Sequence, residues 1–147
     1  MKLRCQVDGT PRELEVRADE MLISVLRRDL GLLSVRETCS IGVCGACTVL
    51  LDGEPVSACI LLAPLAEGRA IETVEGLGGE HPLQRAFASV QAHQCGWCTP
   101  GMILTAKALL AENPHPSEEQ IITAMSGNLC RCGCYAKIVE AVQMAAS

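Results

Sequence analysis

The spacing of hydrophobic positions changes period halfway along the chain. Near the start, Leu3, Cys5 and Val7 alternate with Lys2, Arg4 and Gln6. That period of two predicts a strand with one buried face. Asp8-Gly9 is a turn signal, and Leu14 and Val16 alternate with charges in a returning strand. Leu22, Val25, Leu26 and Leu30 then fall at helical spacing, with Gly31 as the stop. Residues 48–51 and 56–61 flank Asp52-Gly53 and predict a hairpin. Residues 70–74 predict a last short strand.

Gly76-Leu77-Gly78-Gly79 has linker composition, and beyond it the period becomes helical. Pro82 suits a first helical position, and Leu83, Ala86, Phe87 and Val90 form one apolar face. Thr99 is expected to cap a second helix, with Pro100 at its start and Met102, Ile103, Ala106 and Leu110 as its apolar face. Residues 113–116 stop it. Ser117 and Gln120 have the form of a capping box, opening a third helix through Ile121, Ile122 and Met125, which Gly127 closes. Ile138, Val139 and Val142 mark a fourth. The expected class is α+β: a β-rich domain over 1–75, then an all-α domain over 76–147 built as a four-helix bundle.

Composition says how such small domains are held. Hydrophobic residues make up 49% of the 147, but aromatics only 2%. Small cores without large side chains need staples, either disulfides or metal. Ten cysteines are present. Charges in Met1-Lys2-Leu3-Arg4 occupy the place of a signal peptide's apolar stretch. The uncharged run 86–106 is interrupted by Gln91, His93, Gln94, Gly96 and Pro100, so no membrane span is expected. A cytoplasmic location is expected, where disulfides are disfavoured and cysteines more often bind metal or carry redox chemistry. The net charge of -5, without basic clusters, argues against a nucleic-acid partner.

Eight of the cysteines form two sets. The first is Cys39-x4-Cys44-x2-Cys47-x11-Cys59. Its first three spacings match the plant-type ferredoxin pattern for a 2Fe–2S cluster. Gly42, Gly45 and Ala46 keep side chains away while the backbone wraps the cluster. A structural zinc site usually shows two short cysteine pairs, which this set lacks. The second set is Cys95-x2-Cys98-x31-Cys130-x-Cys132. By spacing alone, its Cys-x2-Cys pair also suits zinc or a thioredoxin-like redox pair. The predicted helices add that Cys95 and Cys98 lie between the first two, and Cys130 and Cys132 between the last two. Both loops then fall at one end of the bundle and can share a cluster.

Three motifs carry a family resemblance. The stretch 37–49, ETCSIGVCGACTV, resembles the first motif of the iron–sulfur subunits of molybdenum hydroxylases, the xanthine dehydrogenase, aldehyde oxidoreductase and carbon monoxide dehydrogenase family. QCGWCTPGM at 94–102 resembles the second, and GNLCRC at 127–132 the third. The resemblance covers nearly the whole chain. It implies a β-grasp, ferredoxin-like domain followed by a four-helix bundle, with one 2Fe–2S cluster on Cys39, Cys44, Cys47 and Cys59 and another on Cys95, Cys98, Cys130 and Cys132. It implies a large partner subunit that binds a molybdopterin cofactor and oxidises the substrate. It also implies a flavin (FAD) subunit or domain that receives the electrons. This chain is then the wire, without substrate chemistry of its own. The family analogy also sets Gln94 and Cys132 beside the pterin. The rival class of function is a free two-cluster ferredoxin.

The sequence departs from the family after the third motif. The usual Thr-Gly-Tyr is Gly133-Cys134-Tyr135 here. Cys134 is expected to be a spare thiol, and Cys5 a core thiol beside Leu3 and Val7. His81, His93 and His115 lack ligand spacing and are expected in loops or on the surface. Trp97 is expected to pack over a cluster, and Arg131 to be a surface charge on a loop.

Overall fold

A computed structural model describes residues 1–146. The first half is a five-stranded mixed sheet with one helix: β1 (Lys2–Val7), β2 (Thr10–Glu15), α1 (Leu22–Arg28), β3 (Thr48–Leu51), β4 (Glu54–Ser57) and β5 (Ala70–Glu72). Strand order is β2-β1-β5-β3-β4, with β1 and β5 parallel and the other pairs antiparallel. The two-residue turns at Asp8-Gly9 and Asp52-Gly53 have positive φ at both positions, at 49° and 76° and at 53° and 87°. That hand matches the twist of the strands they join. Alternation in β1 buries Leu3, Cys5 and Val7. They meet Leu22, Val25 and Leu26 of α1, with Val49, Leu51 and Ile71 from the middle of the sheet.

The predicted strand at 56–61 is shorter than expected, and its shortness has a use. The chain leaves the sheet after Ser57. Met21 precedes α1 in the cap position and makes no side-chain cap bond. The helix's Leu22 and Ile23 N–H groups donate instead to the carbonyls of Leu61 (2.7 Å) and Ala58 (3.0 Å). Orphan donors at a helix start need such partners. Leaving the sheet also puts Cys59 in the core beside Cys47.

The second half is helical: α2 (Pro82–Ser89), α3 (Thr99–Glu112), α4 (Glu118–Met125) and α5 (Tyr135–Ala145). Leu83, Phe87, Met102, Ile121, Ile138 and Val142 form a second core. Ser117 and Gln120 make the expected capping box, through Gln120 N–H to Ser117 Oγ (3.2 Å) and Ser117 N–H to Gln120 Oε1 (2.8 Å). Two caps differ from expectation. His81 caps α2, its Nδ1 accepting from Leu83 N–H at 3.2 Å while Gln84 Oε1 accepts from His81 N–H at 3.1 Å. Thr99 is the first residue of α3 and not its cap, a position that Cys98 takes without a side-chain bond.

Helix α3 joins the halves. Gly101 through Ala106 are all buried. A helix apolar on every side belongs inside, and α3 packs on α2 and α4 with one side and on β3 with the other. Among the described residues, no helix is long and apolar enough to cross a membrane.

Candidate metal centre

Two loops from the two halves meet at the α3 start, and each carries thiols. The first loop, 37–47, turns through positive φ at Ser40 (56°), Gly42 (77°) and Gly45 (71°). Repeated left-handed turns aim its N–H groups inward. Cys39 Sγ receives N–H bonds from Ile41, Cys44 and Val43, which hold its pKa down at about 6. The Ala46 N–H lies 3.5 Å from Cys44 Sγ. Deeper in, burial pushes the Cys47 thiol up to about 12. The four thiols stand in two contacting pairs, Cys39 with Cys44 and Cys47 with Cys59.

The second group follows the same plan. Cys95 is exposed, and the Trp97 N–H, 3.4 Å from its sulfur, lowers its pKa. Cys98, behind it, is pushed up to about 12 by burial. Cys95 contacts Cys132, and Cys98 contacts Cys130. The loops therefore interleave, each pair taking one thiol from 95–98 and one from 130–132. Cys95, Cys98 and Cys130 line a mostly apolar cavity of about 390 Å³ together with Cys44, Ala46 and Trp97.

The paired thiols of each group supply the four donors of a 2Fe–2S cluster held entirely by cysteines, two for each iron. Backbone N–H groups aimed at the sulfurs favour the added negative charge of the reduced form. Both groups fit a 2Fe–2S cluster by donor chemistry and by pairing.

A buried polar seam joins the two loops. The Leu129 N–H donates to the Cys44 carbonyl at 2.9 Å, so a residue beside Cys130 is bonded to a residue of the first thiol set. Asn128 lies under this bond, with Nδ2 donating to the Gly45 carbonyl (3.0 Å) and Oδ1 accepting from Thr105 Oγ1 (2.9 Å). Thr48 Oγ1 donates to the same Gly45 carbonyl at 2.7 Å. On the outer side, Trp97 Nε1 donates to Thr38 Oγ1 at 2.8 Å, and the Arg36 guanidinium stacks 4.6 Å from the indole centroid. Trp97 thus packs across both loops. In the sequence, Asn128 stands only as one letter of a motif. Its role depends on Gly45, distant along the chain, and no local pattern shows that pair.

The remaining residues sort themselves by place. Cys5 lies in the sheet core, where burial raises its pKa. Gln94 is exposed, and its Nε2 reaches the Cys132 carbonyl at 3.4 Å, bringing the two together at the outer edge of the second group. Arg131 is exposed on its loop. Cys134 is buried against Cys130.

Comparison with known proteins agrees with this geometry. Residues 5–75 match the 2Fe-2S iron-sulfur cluster binding domain family, and residues 73–143 match the 2Fe-2S binding domain family. The nicotinate dehydrogenase small FeS subunit of Eubacterium barkeri is 49% identical over 146 residues, covering 97% of this chain and 93% of that one. Among solved structures, quinoline 2-oxidoreductase from Pseudomonas putida 86 superposes with a TM-score of 0.95 at 45% identity, covering 99% of this chain and 93% of that chain. The aldehyde oxidoreductase of Desulfovibrio desulfuricans also gives 0.95, at 44% identity, with 99% of this chain matching 17% of a much longer one.

The seam generates a stability prediction. Asn128→Ala leaves the buried Thr105 hydroxyl without its acceptor and takes one donor from the Gly45 carbonyl. The expected loss is roughly 1–3 kcal/mol, read as a lower denaturation midpoint of the iron-loaded protein. An unchanged midpoint would show that the seam is not held by this amide.

Proposed function

The chain belongs to the iron–sulfur subunits of the molybdenum hydroxylase family, and on that premise we propose that it relays electrons from a molybdenum centre in a partner subunit to a flavin. The order we propose is molybdopterin, helical-domain cluster, ferredoxin-domain cluster, FAD. One observation carries the reading: two groups of four paired thiols face each other across a seam whose backbone bond, Leu129 N–H to the Cys44 carbonyl, is 2.9 Å. The clusters supply one-electron carriers. The protein's part is to hold them close, shield them and aim N–H donors at their sulfurs.

The ligands in this reading are Cys39, Cys44, Cys47 and Cys59 for one cluster, and Cys95, Cys98, Cys130 and Cys132 for the other. The domains divide at 75/76, as a β-grasp unit and a four-helix bundle, and the location is cytoplasmic. Exposed apolar residues favour a subunit over a free ferredoxin. Ile41, Val43 and Ile60 are exposed beside the first group, and Leu129 and Trp97 beside the second. Apolar surface at both clusters suits permanent contact with partners. The flavin partner covers the first patch, and the large molybdopterin subunit covers the second.

Gln94 and Cys132 face that large subunit. With its amide nitrogen on the Cys132 carbonyl, Gln94 keeps its own carbonyl free to accept from a pterin amino group. In the complex, Gln94→Leu should keep both clusters and slow reduction of the helical-domain cluster by substrate in rapid-mix spectroscopy. Unchanged rates at unchanged cofactor content would make Gln94 an ordinary loop residue.

Metal content tests the reading as a whole. The purified complex should hold about four irons and four acid-labile sulfides per copy of this chain. Cys39→Ser should halve both. Two irons per chain in the unaltered complex, or zinc in their place, would refute it.

A further inference from the structure

Cys95 and Cys98 flank a tryptophan, and residues of the other domain grip it. Trp97 Nε1 donates to Thr38 Oγ1 at 2.8 Å. The Arg36 guanidinium lies 4.6 Å from the indole centroid, a cation–π contact. Arg36 Nε is buried with no hydrogen-bond partner among the described residues, so the ring face is what holds it. The Arg36 backbone is fixed in turn to the end of the first cysteine loop, its N–H donating to the Ala46 carbonyl at 3.3 Å. Two residues of the ferredoxin domain therefore hold the indole, one at its edge and one on its face.

The place of this bond in the chain gives it a use. Thr38 immediately precedes Cys39, and Trp97 immediately precedes Cys98. The bond thus joins the neighbours of two thiols, one from each set. The backbone bond from Leu129 N–H to the Cys44 carbonyl already ties the loops together at another point. A single line of contact leaves a hinge, and a second contact off that line removes it. The backbone bond places no demand on side chains, whereas the second contact needs an indole donor and a hydroxyl acceptor. Both side chains are exposed, so water can replace either partner. Losing the bond therefore leaves no buried polar group unpaired, and the fold survives it. What is lost is the fixed angle between the loops.

We propose that Thr38 and Trp97 are positioning residues for the electron relay: their hydrogen bond, backed by Arg36, locks the 95–98 loop to the 37–47 loop and fixes the separation of the two clusters. The proposal rests on the two-cluster reading above. Neither side chain touches iron, and neither carries the electron. An electron passes between two carriers at a rate that falls steeply with their separation, so a loop free to rock spends part of its time too far away. The clamp removes that motion. It also holds the backbone of Trp97 where its N–H lies 3.4 Å from Cys95 Sγ.

The test is electron paramagnetic resonance of the complex fully reduced with dithionite, read for the mutual splitting of the two cluster signals. That splitting falls with the cube of the separation. Trp97→Phe keeps a ring under Arg36 and loses the donor. Thr38→Val keeps the shape and loses the acceptor, and Thr38→Ser keeps the acceptor. All three should retain the full iron content of the unaltered complex. Trp97→Phe and Thr38→Val should each shrink and smear the splitting. The double variant should do so no more than either single one, because both remove the same bond. Thr38→Ser should keep the splitting of the unaltered complex. Unchanged splitting in both Trp97→Phe and Thr38→Val would overturn the proposal. So would a further loss in the double variant, or a loss in Thr38→Ser equal to that in Thr38→Val, since each shows the side chains acting separately from their bond. Iron lost from Thr38→Val would make the contact a support for ligation and overturn it too. Half the expected iron in the unaltered complex would instead sink the two-cluster reading itself.

Discussion

Two backbones must pass within contact distance where the sheet domain meets the helices, and most of the structure follows from that. A Cβ on Gly45 would sit 2.5 Å from the Gly127 carbonyl oxygen, and one on Gly101 would sit 2.3 Å from the Gly45 carbonyl oxygen. Side chains do not fit there. Two glycines, Gly45 and Gly101, let the first cysteine loop touch the turn after α4 and the start of α3. Close approach of this kind strands backbone polar groups, which must then be paired. Asn128 and Thr48 pair the Gly45 carbonyl, and Leu129 pairs the Cys44 carbonyl. The result is a bonded backbone contact between the two cysteine loops. A relay between two carriers needs such a fixed separation.

The thiols of each group differ in environment. N–H donors lower the pKa values of Cys39 and Cys95, whereas burial raises those of Cys47 and Cys98 to about 12. Thiolates ligate metal, so buried thiols of this kind bind only if the metal's attraction outweighs the cost of burying charge. Iron binding and the folding of these loops are therefore coupled. The Trp97 indole, held by Thr38 and stacked under Arg36, closes the outer side of the same junction.

Much of this is legible in the sequence because it is local. Period two in Leu3, Cys5 and Val7, the Asp-Gly turns, the Ser117–Gln120 box and the cysteine spacings each depend on a few neighbouring residues. What the sequence hides depends on partners far along the chain. The strand ending at Ser57 stops early because Ala58 and Leu61 are needed by α1. His81 reads as a loop residue because histidine is an uncommon cap. Helix α3 reads as having one apolar face, although it has apolar contacts on both sides. The thiol pairing, Cys95 with Cys132 and Cys98 with Cys130, crosses between loops more than thirty residues apart and is visible only in three dimensions.

The central claim is that this chain holds two 2Fe–2S clusters in fixed proximity across the Gly45–Asn128 seam. Electron paramagnetic resonance of the fully reduced complex tests it most directly. The account predicts two distinct signals of equal spin count, each split or broadened by its neighbour, with the magnetic interaction gone once Cys39→Ser removes the first cluster. A single signal, or two signals with no mutual interaction at any temperature, would contradict it.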